Sequence, residues 1–264
     1  MHSTTSHHTV LVLGGTGKTG RRVAQRLRAQ GIAVRIGSRA ADPPFDWQDR
    51  VGWPAVLDGV RAVYVCYHPD LAMPGAPDDV GAFAGHAARA GVARLVLLSG
   101  RGEEEAQRAE EAARASGLEL TVLRCSWFAQ NFTEGALAPD VTSGELVLPV
   151  GDVPEPFVDV DDVADAAVVA LLEDGHAGRV YELTGPRLLT FGQAVAELGR
   201  EVRFRPIGMD DYTAALAGHG VPEGEIAALA YLFGEVLDGR NATLADGVRQ
   251  ILGRAPRDIA EALR

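Results

Sequence analysis

The sequence is almost without lysine. Of its 25 basic residues one, Lys18, is a lysine and the other 24 are arginines. Chemistry that needs an ammonium group must use Lys18 or do without. Only two cysteines occur, Cys66 and Cys125, too few for a disulfide framework or a four-cysteine metal site. No apolar run approaches the ~18 residues of a membrane-spanning helix. The opening MHSTTSHHTV lacks the apolar stretch of a signal peptide, so the expected address is the cytoplasm. Positive charge is in deficit: 36 acidic residues leave a formal net charge of −11. That disfavours nucleic acid and anionic membranes as partners, because both are met by a basic face. His2, His7 and His8 sit at the N-terminus, and His86, His176 and His219 are scattered without an HExxH pair, so no metal site is expected. A GxSxG elbow is also missing, which argues against a serine hydrolase.

What remains is a globular composition, 47% hydrophobic and 23% charged, which excludes general disorder. At 264 residues the chain makes one large domain or two small ones. Strand and helix signals alternate, the pattern of a parallel sheet covered on both faces. Strands are expected at Thr9 to Leu13, Ile32 to Ile36, Ala62 to Cys66, Arg94 to Leu98 and Glu119 to Arg124, with a short one near Phe45. Helices are expected at Gly17 to Gln30, Trp53 to Leu57, Asp78 to Ala90 and Glu103 to Ser116; the charges of the last read as a solvated face. After Ser126 the pattern loosens into a helix within Val158 to Glu173, a strand at Arg179 to Thr184, a helix at Thr190 to Gly199 and a mostly helical tail. The chain shows no internal repeat.

The strongest motif is Gly14-Gly15-Thr16-Gly17-Lys18-Thr19-Gly20, directly after the first strand and opening a helix. Glycines at 14, 17 and 20 let the backbone turn sharply and approach a pyrophosphate. The helix that follows offers free N–H groups and a positive dipole end to the phosphates. A dinucleotide is the expected ligand, held by Gly14, Thr16, Gly17, Lys18, Thr19 and Gly20. The rival reading, a P-loop ending in Gly17-Lys18-Thr19, would need its first glycine at Val12, inside the strand. An NAD site usually has an acidic residue at the end of the second strand. Here that strand runs into Ser38 and Arg39, which suit a 2′-phosphate, so NADP(H) is the expected cofactor. Asp46 is a candidate acceptor for the adenine amino group.

These residues, with several later segments, resemble the NmrA-like group of atypical short-chain dehydrogenase/reductases. Leu95 to Ser99 is similar to that family's fifth strand. Glu110 and Glu111, then Ser116-Gly117-Leu118 and Thr121 to Arg124, are similar to its helix-to-strand passage. Trp127-Phe128-Ala129-Gln130-Asn131-Phe132 resembles its WF-x-x-NF segment, and Phe157 to Ala164 its FVDV-x-DVA signature. Tyr181 to Gly185 resembles a late strand. The resemblance covers nearly the whole chain and is nearest to quinone-reductase-like members. It implies an α/β fold: a Rossmann-type doubly wound parallel sheet in strand order 3-2-1-4-5-6, with a smaller, mixed, mostly helical C-terminal lobe. Residues 1–125 would bind NADP, with 150–185 returning to the sheet. Residues 126–264 would form a substrate-binding lobe, with the substrate held between the two.

One departure is informative. Many short-chain reductases use Tyr-x-x-x-Lys, in which the lysine lowers the tyrosine pKa. None of the five tyrosines, Tyr64, Tyr67, Tyr181, Tyr212 and Tyr231, has a lysine four residues on. The missing pair points to conjugated, electron-poor acceptors such as a quinone, an enone or an imine, whose reduced forms delocalise charge. Candidates near the acceptor lie at strand ends. His68 is placed to donate a proton or to line the nicotinamide pocket beside Tyr67. Ser99 stands where the superfamily places a catalytic serine, and Arg101 in a Gly-Arg-Gly turn could meet an anionic group. By family analogy Trp127, Phe128 and Asn131 wall the substrate pocket. Asp159, Asp161 and Asp162 anchor the following helix. The partner is a small-molecule substrate, and the chain is a monomer or homodimer, with Tyr231 to Leu237 burying in the lobe or in a dimer. Two other readings of the same residues stay open: a dinucleotide-binding redox sensor without turnover, and a redox-neutral epimerase or cyclase.

Overall fold

Thr9–Leu13 forms β1, whose Leu11, Val12 and Leu13 are fully buried. The chain then turns through the glycine loop into α1 (Lys18–Ala29), which faces the core with Val23, Ala24 and Leu27. That one-and-four spacing is a helical stripe, and the arginines between take the outer side. Gly31, at a φ of +76°, ends the helix. In this computed structural model residues 9–135 and 137–263 are described. His2, His7 and His8 lie outside the described residues.

The rest of the first unit continues with β2 (Val34–Gly37), α2 (Trp53–Leu57), β3 (Val60–Val65), α3 (Ala76–Arg89), β4 (Arg94–Gly100), α4 (Glu104–Arg114) and β5 (Glu119–Cys125). Beyond it come α5 (Asn131–Glu134), α6 (Ala138–Ser143), β6 (Glu145–Leu148), α7 (Val160–Leu172), β7 (Val180–Leu183), α8 (Phe191–Ala196) and β8 (Arg203–Pro206). The tail holds α9 (Met209–Gly218), α10 (Glu223–Tyr231), a π-helical turn at Leu232–Val236, α11 (Gly247–Leu252) and α12 (Ile259–Ala262).

Six strands form one sheet in the order β2-β1-β3-β4-β5-β7. β1 runs parallel to β2 and to β3, and β3 parallel to β4. This is a Rossmann-type α/β fold. Among the described residues no strand forms near Phe45, which corrects the expected third strand at that edge. Pro43 and Pro44 remove two donors a ladder would need. Phe45 and Trp47 pack instead into an aromatic core with Trp53 and Phe83, at ring distances of 5.0 to 6.3 Å.

The chain divides into two compact units. One comprises residues 1–124, 161–182 and 250–253; the other comprises 125–160, 183–249 and 254–264. Within the first, Arg26 of α1 reaches Asp161 and Asp165 of α7, both at 2.6 Å, and Arg22 adds a longer contact to Asp161 at 3.3 Å. These ion pairs fix the helix that follows the glycine loop. Within the second, β6 and β8 pair in parallel. A core forms around Phe132, Phe157, Phe191 and Phe233. Phe233, Val236 and Leu237 are buried in the chain's own core. No helix among the described residues is long and apolar enough to cross a membrane.

Candidate functional site

In a parallel sheet ligands bind beyond the carboxyl ends of the strands. Because β2, β1, β3 and β4 are successive neighbours, the segments leaving them lie side by side: Ser38-Arg39, the glycine loop, Cys66 to Asp70, and Ser99 to Glu103. Twelve of the expected site residues fall in these four segments, all in the first unit.

The glycine loop is as tight as its sequence demands. Gly14 sits at a φ of +69°, and a methyl group on it would come within 3.0 Å of Cys66 Cβ. A methyl on Gly20 would collide with the Gly14 carbonyl oxygen and lie 2.9 Å from Gly15 Cα. The Gly17 amide donates to Gly14 O at 2.9 Å and closes the turn. Gly17 caps α1 without a side-chain hydrogen bond, and the first turn of α1 has no acidic residue. Helices prefer a Ser, Thr, Asp or Asn cap or an acidic side chain at that place. Left so, it fits an anion brought from outside, which is what a dinucleotide pyrophosphate supplies. Thr16 is exposed, Lys18 half-buried and Thr19 buried. Thr19 hydrogen-bonds Cys66, whose thiol is pushed up mainly by burial.

At the end of β2, Ser38 is half-buried and its carbonyl accepts from Phe45 N at 2.9 Å. Arg39 stands exposed, and among the described residues no carboxylate pairs with it. Asp46 Oδ1 accepts from the Gln48 amide at 3.0 Å, and its carbonyl takes the Trp53 indole N–H at 2.8 Å. Tyr67 packs on Trp47 at 4.8 Å. Its hydroxyl donates to Asp79 Oδ2 at 2.9 Å, and burial with that bond pushes the phenol up to about 12. It is a fixed neutral donor rather than an acid poised near neutrality. His68, next along, is exposed.

Beyond β4 the structure departs from the sequence reading. Ser99 is buried, and its hydroxyl donates to Glu110 Oε1 at 2.6 Å. Glu110, 2% exposed, also accepts from Arg124 Nη2 at 2.7 Å and Nε at 2.9 Å. Burial beside that guanidinium corrects the expectation that the acidic helix is simply a solvated face. Arg101 Nε donates to Glu182 Oε2 at 2.9 Å from a side chain only 10% exposed. Both candidates are therefore engaged within the protein.

Sequence reasoning missed Glu103. It is half-buried, at the foot of α4, with its carboxyl folded so closely over Gly100 that a methyl there would strike it. Burial first, then the charge of Asp70, push it up to about 8. Asp70 is itself raised by burial, opposed by a hydrogen bond from the Ala72 amide at 2.8 Å. The sign for stability follows. A raised carboxyl means that the folded state disfavours the ionised form. This group therefore costs nothing below about pH 4.5, and its cost grows as the pH rises toward 8. Glu103→Gln should leave stability unchanged at pH 4 and raise it by about 2 kcal/mol at pH 9, after allowing for partial exposure. Urea midpoints at the two pH values measure it; equal shifts at both would contradict the raised carboxyl.

In the second unit Trp127, Phe128 and Asn131 are each half-buried. Trp127 packs against Phe191 and Phe233 at 5.4 and 5.3 Å. Phe128 bridges Val158. Asn131 opens α5. Gln130 donates to the buried Asp159 at 2.7 Å and accepts from Val160 N at 3.0 Å, so the two signature segments brace one another. Asp161 and Asp162 lie in the first turn of α7, where the helix dipole favours them. Among the described residues no group of three or more His, Cys, Asp or Glu lies together as a metal site.

No family model matches the chain. It is 34% identical over 279 residues to a (4-alkanoyl-5-oxo-2,5-dihydrofuran-3-yl)methyl phosphate reductase of Streptomyces griseus, covering 96% of this chain and 95% of that one. The chain belongs to the NmrA-like group of atypical short-chain dehydrogenase/reductases. As an NmrA-like protein it is an NAD(P)-dependent oxidoreductase. Solved structures agree with that placement. The NADPH-dependent quinone oxidoreductase QOR2 of Escherichia coli, solved with NADPH, is 25% identical, with a TM-score of 0.76 over 96% of this chain and 98% of that one. The negative transcriptional regulator NmrA shares the fold, at 18% identity and a TM-score of 0.68 over 97% and 95% of the two chains.

Proposed function

We propose that this NmrA-like protein is an NADPH-dependent reductase that passes hydride to a conjugated, electron-poor small molecule. The observation that carries the reading is the close-packed glycine loop feeding a helix N-terminus without cap or acid, with Arg39 exposed at the neighbouring strand end. When bound, NADPH supplies the hydride. The chain's own residues do the rest. Gly14, Gly17 and Gly20 admit the pyrophosphate, and the amides at the start of α1, with Thr16, Lys18 and Thr19, bind it. Ser38 and Arg39 take the 2′-phosphate, and Asp46 and Tyr67 border the same edge. By family analogy Trp127, Phe128 and Asn131 are the candidates for contact with the acceptor.

Conjugation of the acceptor is supported from two sides. A simple ketone would leave a basic alkoxide, and no Tyr-x-x-x-Lys pair is present to quench it. The name of the Streptomyces relative's substrate describes a ring double bond conjugated with two carbonyl groups, and QOR2 acts on quinones. The test is consumption of NADPH with a panel of quinones, cyclic enones and imines. At least one acceptor should oxidise it stoichiometrically. Conversion of a substrate with no net loss of NADPH would favour redox-neutral chemistry instead. For the phosphate assignment, Arg39→Ala should weaken NADPH binding by about tenfold or more, the worth of one charge-assisted bond, and NADH binding far less. Equal losses in a fluorescence titration would remove Arg39 from that role.

A further inference from the structure

We propose that Glu103 is the proton donor of the reduction, standing at the carboxyl end of β4 where the lysine-supported tyrosine of related enzymes has no counterpart. The proposal rests on the reductase reading and adds to it the group that completes the reaction.

Three observations place the carboxyl there. Its residue leaves β4, the strand adjoining β3, whose exit touches the glycine loop through Cys66 and Gly14. Cys66 is held by Thr19 of the loop, and the charges of Lys18 and Asp70 both act on it. Asp70 in turn acts on Glu103. Lys18, Cys66, Asp70 and Glu103 thus form one connected group along the sheet's carboxyl edge, within a single unit. The third observation is the turn itself. The Glu103 carboxyl lies over Gly100, where only a hydrogen leaves room for it, so the two glycines of Gly100-Arg101-Gly102 fold the side chain back over the strand end instead of letting it extend into solvent.

The charges around it favour holding the proton. Asp70 faces it from the loop after β3. Arg101, two residues back, is engaged with Glu182. Glu104 and Glu105 follow it in the first turn of its own helix. With the carboxyl raised to about 8, the group is mostly protonated at neutral pH, as a general acid must be. The step balances. A hydride, carrying two electrons, moves from the reduced nicotinamide to the acceptor. The anion this leaves takes the Glu103 proton, and the Glu103 carboxylate recovers one from solvent. The sum is NADPH, a proton and the acceptor giving NADP+ and the dihydro product.

The experiment joins a titration to kinetics. Carbon NMR of protein labelled at the glutamate carboxyls, without cofactor, should show one resonance titrating near pH 8. That resonance should be missing in Glu103→Gln and shifted to lower pH in Asp70→Asn. With a quinone or enone acceptor, wild-type turnover should fall as the pH rises through about 8. Glu103→Gln should turn over about a hundredfold more slowly, with the KM for NADPH nearly unchanged and the alkaline limb gone. Wild-type turnover in Glu103→Gln, survival of the limb, or no glutamate titrating above pH 6 would each overturn the proposal while leaving the reductase reading standing. Loss of turnover in His68→Ala, with turnover kept in Glu103→Gln, would transfer the role to His68. A wild-type protein that binds NADPH and oxidises none with any acceptor would overturn the reductase reading, and this proposal with it.

Discussion

Arg124→Met should cost about 3 kcal/mol of stability, the scale of breaking one side of a buried ion pair. Glu110 is 2% exposed and accepts from two nitrogens of that guanidinium and from the Ser99 hydroxyl. Taking away the arginine leaves a carboxylate in the interior with one neutral donor, and water cannot reach it to compensate. Ser99→Ala removes the weaker contact and should cost about 1 kcal/mol. The double replacement Glu110→Leu with Arg124→Met should recover most of the loss, since two apolar side chains leave no orphaned charge. Denaturant midpoints on the three variants test the ordering. An Arg124→Met protein as stable as the parent would mean that Glu110 reaches water and that the network is peripheral.

The second large effect is on cofactor binding. Gly20→Ala should weaken NADPH by about a hundredfold, because the added methyl meets backbone, not a yielding side chain. Its nearest neighbours are the Gly14 carbonyl and Gly15 Cα, and parting them opens the turn against which the pyrophosphate would rest. A displacement of about 1 Å at a binding turn costs on that scale. The same overpacking should destabilise the fold by about 1 to 3 kcal/mol. Gly224→Ala is the control: nothing lies within 4 Å of a methyl there, and neither stability nor binding should fall. Titration by cofactor fluorescence reads the difference. A Gly20→Ala protein that binds NADPH normally would place the pyrophosphate elsewhere.

Much of the sheet unit was legible because its signals are local. β1, α1, β4 and β5 each declare themselves by apolar period, and the glycine spacing declares the loop. The edge near Phe45 was not legible. An aromatic run there looks like a strand, and only the tertiary packing of Phe45 and Trp47 against Trp53 and Phe83 decides that it is a loop. β6 and β8 were missed for a similar reason: each is four residues long and gains its partner from far along the chain. At the site, the sequence gives residue types at strand ends but not who pairs with whom. Ser99 looks like a catalytic hydroxyl until Glu110 is found beneath it. Arg101 looks available until Glu182 is found beside it. Glu103 is hidden among three consecutive glutamates, and only burial over Gly100 with Asp70 nearby sets it apart from Glu104 and Glu105. Its one sequence signal was the pair of glycines flanking Arg101, which mark a turn tight enough to fold a side chain back.

The most direct measurement mixes the NADPH-loaded protein with one equivalent of a small para-quinone and follows the reduced-nicotinamide absorbance. NADPH-dependent reduction predicts a fall of one equivalent, faster than in the absence of protein. An absorbance that stays constant while the protein remains saturated with NADPH, across quinones, enones and imines alike, would contradict it.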